Sequence, residues 1–264
     1  MYKAYIFDLY GTLVEIRTNE NKPYLWTKMS ELYASLGAAY GARDLKARFL
    51  ALVMQEQAWG RGQTVSIQEK TGGRDPVTAA TTGREDCLAE PDMRKVFRRL
   101  YLEKGVSCDG RKAQMTALFF RTLSRQHLCV YDGVRETLQE LARRGKKRYL
   151  LSNAQSDFTR PELEMTGLSE CFDGILLSSE EGCRKPSPVF FQRLLKRYGL
   201  HPAECLMVGN DETADIGGAW QVGMDSLYIH TATSPVCQGR YNPTYRVMDG
   251  DWRKVAAILC GQGS

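Results

Sequence analysis

Tyr5-Ile6-Phe7 is a short apolar run that ends at Asp8 and is followed by Gly11 and Thr12, the pattern of a buried strand entering a turn. Downstream the period changes. Leu25, Met29, Leu32, Tyr33 and Leu36 recur at helical spacing until Gly37, and Leu45, Phe49, Leu52 and Val53 continue it. Between Gly60 and Glu90 the chain turns polar and glycine-rich, which predicts a long loop or short elements separated by loops. Helical spacing returns at Met93, Val96, Phe97, Leu100 and Tyr101, and again at Met115, Leu118, Phe119, Thr122 and Leu123. From Val130-Tyr131-Asp132-Gly133 onward, strand-like and helix-like segments alternate. Strands are predicted over residues 148–151, 174–177, 205–208 and 226–229. Helices are predicted through Val134, Leu138 and Leu141, from Ser187-Pro188 to Gly199, and around 214–222. This alternation predicts an α/β fold, a mostly parallel, Rossmann-like sheet covered by helices on both faces. The first strand lies far upstream of the others. Residues 15–129 therefore read as a helical insertion, and 1–14 plus 130–264 as the α/β core.

Composition narrows the class. With 43% hydrophobic and 25% charged residues the chain is globular, not disordered. No run of 18 or more apolar residues exists, so no membrane partner is expected, and Asp8 interrupts the N-terminal run too early for a secretory leader. A net charge of +5 is too mild to predict nucleic-acid binding, but it suits a small anionic substrate. The densest basic cluster, Arg143, Arg144, Lys146, Lys147 and Arg148, falls at a predicted helix end, where cations face exposed carbonyls. Eight cysteines form no C-x-x-C pair, and only three histidines, His127, His201 and His230, accompany them. That argues against structural zinc, and scattered thiols without a leader predict a reducing cytoplasm. Cys183 near Lys185 has no histidine close in sequence to activate it and reads as structural or incidental. Oligomeric state is left open by the sequence.

In open parallel sheets, ligands bind at the carboxyl ends of strands. Four predicted strand ends carry reactive or polar side chains. Asp8 follows the first, Ser152-Asn153 another, Lys185 lies past residues 174–177, and Asn210, Asp211 and Asp215 follow 205–208. Ser152 alone would be a helix cap and Lys185 alone a solvated lysine. Four such ends in order are hard to ascribe to capping.

The order Asp8-Leu9-Tyr10-Gly11-Thr12-Leu13, Ser152-Asn153, Lys185-Pro186 and Gly209-Asn210-Asp211-Glu212-Thr213-Ala214-Asp215 resembles the four motifs of the haloacid dehalogenase-like (HAD) hydrolase superfamily. An insertion after the first motif is similar to that family's helical C1 cap, hinged here near Val14-Glu15 and Val130-Tyr131. The resemblance implies that Asp8 is a nucleophile forming a covalent aspartyl intermediate. It also implies that Thr12, Ser152 and Asn153 bind substrate oxygens and that Lys185 offsets negative charge. Asp8, the backbone carbonyl of Tyr10, Asp211 and Asp215 would hold Mg²⁺, which prefers hard oxygen ligands.

One position departs from the phosphatases of this superfamily. They carry a second aspartate two residues after the nucleophile, which protonates the leaving group and then activates water. Here that position is Tyr10, a phenol able to donate a proton but a poor base near neutrality. Tyrosine there resembles the 2-haloacid dehalogenases, whose halide needs no proton and whose reaction uses no metal. Asp211 pulls toward a metal and phosphoryl transfer. Three readings therefore stand: a Mg²⁺-dependent phosphatase of a small metabolite, a metal-independent 2-haloacid dehalogenase, and a non-catalytic binding or regulatory protein. A dehalogenase also wants a cap arginine, for which Arg43 is the nearest candidate and a helix-surface residue beside Asp44 the plainer account. Tyr24, Trp26 and Trp59 could line a pocket, although aromatics at helical spacing more often build core.

Overall fold

The structure is a computed structural model and describes residues 2–62 and 87–261, with the side chains at 58–62 left out of account. In chain order its elements begin with β1 (Ala4–Phe7), β2 (Val14–Thr18), α1 (Pro23–Ser35), α2 (Ala42–Gly62), α3 (Met93–Leu102) and α4 (Gly110–Ser124). Then come β3 (Arg125–Val130), α5 (Val134–Arg143), β4 (Lys147–Ser152), α6 (Ser156–Met165), β5 (Gly174–Leu177), α7 (Ser178–Glu181) and α8 (Pro188–Tyr198). The chain finishes with β6 (Cys205–Gly209), α9 (Gly218–Gln221), β7 (Asp225–Ile229), β8 (Tyr245–Val247) and α10 (Trp252–Cys260).

Six strands form one sheet in the order β5-β4-β1-β6-β7-β8, and each neighbouring pair is parallel. The sheet is covered on both faces, which is why its strands read as continuous apolar runs. Tyr5 and Phe7 of β1 pack with Leu138 and Leu141 of α5 and with Trp252 and Val255 of α10. Ala4 and Ile6 face the other layer, Phe190, Phe191 and Leu194 of α8. β1 sits in the middle, with Phe7 beside Leu150 of β4 and Val208 of β6. Three predicted site segments therefore leave the same edge side by side. Among the described residues no helix is long and apolar enough to cross a membrane.

The segment between β1 and α5 has its own core. Leu25, Trp26, Met29, Tyr33, Phe49, Phe97 and Phe120 are buried together, and Phe158 of α6 joins them. Trp26 thus builds core, Tyr24 is 61% exposed, and the Trp59 side chain lies outside the described residues. The polar stretch read as loops falls largely on residues 63–86, also outside the description. Where the chain leaves and re-enters the sheet domain, β2 and β3 form an antiparallel ribbon, Val14 opposite Val130 and Glu15 opposite Cys129. The expectation of helix up to 129 misses this ribbon, because its partly exposed, charged strands carry little hydrophobic alternation.

α6 was not predicted either. Its sequence, SDFTRPELEM, contains Pro161, and its buried face includes Asp157, Thr159 and Glu162, so polarity hides the period. Those polar groups meet partners from the inserted segment. Arg94 of α3 donates from Nε to Asp157 at 2.8 Å. Arg121 of α4 and Arg125 of β3 reach Glu162 at 2.7 and 3.0 Å, with Glu162 only 2% exposed. Removing Glu162 leaves Arg121 and Arg125, 13% and 17% exposed, largely buried without their counter-charge. Glu162→Ala should therefore lower stability by about 3–5 kcal/mol, read as a shift in the denaturation midpoint. A loss below about 1 kcal/mol, the scale of an exposed pair, would contradict the buried network.

Candidate active site

Asp8 leaves the end of β1 with its N–H donating to the Val208 carbonyl at 3.0 Å, which fixes its height above the sheet. The chain then turns at Gly11, whose φ is +83° and where a Cβ would stand 2.3 Å from Asn210 Nδ2. A side chain at that position would collide with the neighbouring strand end, so glycine is required. The turn brings Thr12 Oγ1 to 3.2 Å from both Asp8 Oδ2 and Asn210 Oδ1. From β4, Ser152 Oγ lies 3.4 Å from Asp8 Oδ1. Asn153 clamps the backbone of Lys185, donating to its carbonyl at 3.0 Å and accepting from its N–H at 2.8 Å. Lys185 Nζ then reaches Asp8 Oδ1 at 2.8 Å and Asp215 Oδ1 at 2.6 Å.

Lys185 and Asp215 are 2% and 1% exposed. Burial opposes the lysine's charge, but the two carboxylates outweigh it and hold the ammonium protonated above its ordinary range. Burial pushes the Asp215 carboxyl up, against the pull of Lys185. Asp215 Oδ2 accepts from the Asp211 N–H at 3.0 Å, and Asp211 in turn accepts from the N–H groups of Thr213 and Ala214. Asp211 thereby caps an unusually wide helical turn, Glu212–Gly217. Such i→i+5 turns concentrate at functional sites.

Asp8, Tyr10, Ser152, Asn153, Lys185, Asp211 and Asp215 line one cavity of about 180 Å³, and Thr12 stands beside it through Asp8. Asn210, which has no assigned role in the sequence motifs, and Thr233 and Pro235, which no sequence motif marks, also line the cavity. The latter two follow β7 in a stretch without periodicity or motif, so no sequence signal marked them. Their loop is held from below. The Glu212 carboxylate accepts from the backbone N–H groups of Gln238, Gly239 and Tyr241.

Tyr10 lines the cavity, but its hydroxyl is directed to α6. It donates to Glu162 Oε2 at 2.5 Å and lies 3.0 Å from Thr159 Oγ1, while the Arg121 guanidinium stands 5.8 Å from the ring centre. Burial, with Glu162 adding to it, raises the phenol above its ordinary range. Other candidates stand elsewhere. Arg43 is exposed on α2, His127 lies 3.7 Å from Glu15 in the ribbon, and His230 Nδ1 is 3.2 Å from the Tyr228 hydroxyl. The expectation of scattered thiols is corrected at one pair. Cys87 and Cys183, 96 residues apart, form a disulfide, a pairing that such a separation hides from sequence.

The sequence profile described as haloacid dehalogenase-like hydrolase matches residues 2–223. The chain belongs to the haloacid dehalogenase-like hydrolase family. Among its relatives is the phosphoserine phosphatase of Thermus thermophilus, 32% identical over 167 residues. That alignment takes in 63% of this chain and spans 65% of the relative's length. Solved family structures share the fold. The HAD phosphatase of Thermococcus onnurineus superposes with a TM-score of 0.57 at 20% identity, covering 98% of both chains. The 2-haloacid dehalogenase of Pseudomonas syringae pv. Tomato gives 0.63 at 18% identity over the whole of both.

In this HAD hydrolase the loop anchor at Glu212 carries a pH signature. Burial opposes its charge, but the Tyr241 N–H, the Cys237 thiol and the Gln238 and Gly239 N–H groups outweigh that, holding the carboxyl at about 2. A carboxyl lowered by folding contributes stability that is complete above its unfolded value of about 4.3. That contribution is lost as pH falls toward about 2. Melting temperatures of wild type and Glu212→Gln should therefore converge as pH drops from 5 to 2.5. A constant difference across that range would refute the charge-dependent anchor.

Proposed function

We propose that this HAD hydrolase is a phosphatase that removes the phosphoryl group of a small phosphorylated molecule through an aspartyl-phosphate on Asp8. One observation carries the reading. Asp8 sits at a strand end against two hydroxyls and a buried ammonium, in a cavity of about 180 Å³. The cavity has room for a phosphoryl group together with water, since a single water needs only about 10–15 Å³ of such space. In this reading Lys185 neutralises Asp8 and the incoming oxyanion, letting two anions approach. The Thr12 and Ser152 hydroxyls orient phosphoryl oxygens, and Asn153 holds the lysine backbone in place. Asp8 attacks phosphorus, and water then cleaves the acyl phosphate. Residues 15–129 act as a helical cap of the C1 kind over the core formed by 1–14 and 130–264.

The donor chemistry fits Mg²⁺. The cavity lining presents three carboxylates, Asp8, Asp211 and Asp215, against the one ammonium of Lys185, so negative charge is in excess. Among the described residues no three acidic, histidine or cysteine side chains converge into a ready cage. Mg²⁺ tolerates this, because it binds through one or two carboxylates and keeps several waters. Asp8 and Asp215 or Asp211, with the Tyr10 carbonyl, would hold it, and bound there it would neutralise phosphoryl oxygens.

A second reading is favoured by Tyr10. A residue committed to Glu162 suits a halide leaving group, and Lys185 already balances the nucleophile. Metal-free displacement at the carbon of a 2-haloacid then becomes the alternative. Two measurements separate the readings. Phosphate release from small phosphomonoesters should stop in excess chelator, return with Mg²⁺, and fall by at least about 10³-fold in Asp8→Asn, which removes the covalent route. Halide release from 2-chloropropionate in excess chelator, without phosphate release under either condition, would establish the dehalogenase instead.

A further inference from the structure

The leaving group raises a question that the nucleophile does not answer. When Asp8 attacks, a bond forms between its carboxylate oxygen and phosphorus, and the bond between phosphorus and the leaving oxygen breaks. The electron pair stays on the leaving oxygen, which departs either with a proton from the protein or as an anion that later takes one from water. The ionisable and hydroxyl groups nearest Asp8 each have another partner, Lys185 being held between Asp8 and Asp215. The Tyr10 O–H is spent on Glu162, whose other contacts are Arg121 and Arg125. Asp215 is held by Lys185 and by the Asp211 N–H. Asp211 receives two backbone N–H groups on Oδ1 at the start of the wide turn, an arrangement that favours its ionised, proton-free form. Ser152 lies against Asp8 itself.

The Tyr10 arrangement is built in, not incidental. Glu162 is 2% exposed and Thr159 is fully buried, so the phenol is received by a polar socket in α6 that the inserted segment closes with two guanidinium groups. Swinging the phenol toward a leaving group would leave the carboxylate of that socket without one of its donors, a cost of the kind that keeps buried polar networks fixed. The socket thus uses Tyr10 to join the first loop to α6.

We infer that the substrate class of this site is phosphoryl donors whose leaving oxygen is stable as an anion, acyl phosphates and aryl phosphates, in preference to alkyl phosphates. This rests on reading the cavity as a phosphoryl-transfer site. General-acid help is worth roughly 10²–10⁴-fold. Its absence falls almost wholly on alkyl leaving groups, which are poor anions, and little on acyl or aryl ones.

The test compares kcat/KM for acetyl phosphate, p-nitrophenyl phosphate and glycerol 3-phosphate in wild type, Tyr10→Phe and Tyr10→Asp. Wild type should use the first two at least about 100-fold better than the third. Tyr10→Phe keeps the ring and deletes the hydroxyl, so it should leave the ratio between substrates unchanged whatever it does to stability. Tyr10→Asp, where it folds, should raise the glycerol phosphate rate most and narrow the gap. Equal rates on all three substrates in wild type, or a selective loss of glycerol phosphate turnover in Tyr10→Phe, would overturn the inference while leaving the phosphatase reading intact. No turnover of any of the three with Mg²⁺ present would overturn the phosphatase reading together with it.

Discussion

The candidate site is organised around one ammonium placed between two carboxylates away from water. Lys185 touches Asp8 and Asp215 at 2.8 and 2.6 Å while itself 2% exposed. Burying three charges is costly unless each finds partners of good geometry, and several local features supply that geometry. Asn153 fixes the lysine backbone, the Asp211 N–H takes the second oxygen of Asp215, and Gly209 leaves the room that Asp215 occupies. A Cβ there would stand 2.2 Å from Asp215 Oδ2. The parallel sheet is what allows this convergence, since β4, β1 and β6 are adjacent and deliver Ser152, Asp8 and Asn210 to one edge.

The inserted segment is coupled to that edge through α6, which begins three positions after Asn153. Phe158 enters the aromatic cluster of the insertion, and Asp157 and Glu162 take its arginines. Tyr10 reaches the same network from the nucleophile loop. The first loop, the helix after the second strand end and the insertion are therefore held by one set of charges.

Much of this was legible in the sequence because sheets covered on both faces write themselves as apolar runs. The five sheet strands from β1 to β7 and the side chains at their ends came from that signal, and helices α1 to α5 and α8 from the 3.6-residue period. Helix α10 has a helical period at Trp252, Val255 and Leu259 but was not among the predicted elements, and other elements were hidden for physical reasons. The buried face of α6 is polar, the β2–β3 ribbon is half exposed, and β8 is three residues long. Asp211, Asp215 and Lys185 were legible as a set, but Lys185 bridging two acids depends on side-chain placement that no spacing encodes. The direction of the Tyr10 hydroxyl was equally hidden, because its partner Glu162 lies 152 residues away in a helix the periodicity did not show.

In the proposed reaction Asp8 becomes covalently phosphorylated during turnover. Rapid acid quench of the protein with acetyl phosphate and Mg²⁺, followed by peptide mass spectrometry, detects this species. The peptide containing Asp8 should gain the mass of one phosphoryl group within the first turnover, and the gain should disappear in Asp8→Asn. Steady phosphate release with the Asp8 peptide unmodified at every quench time would contradict that reaction.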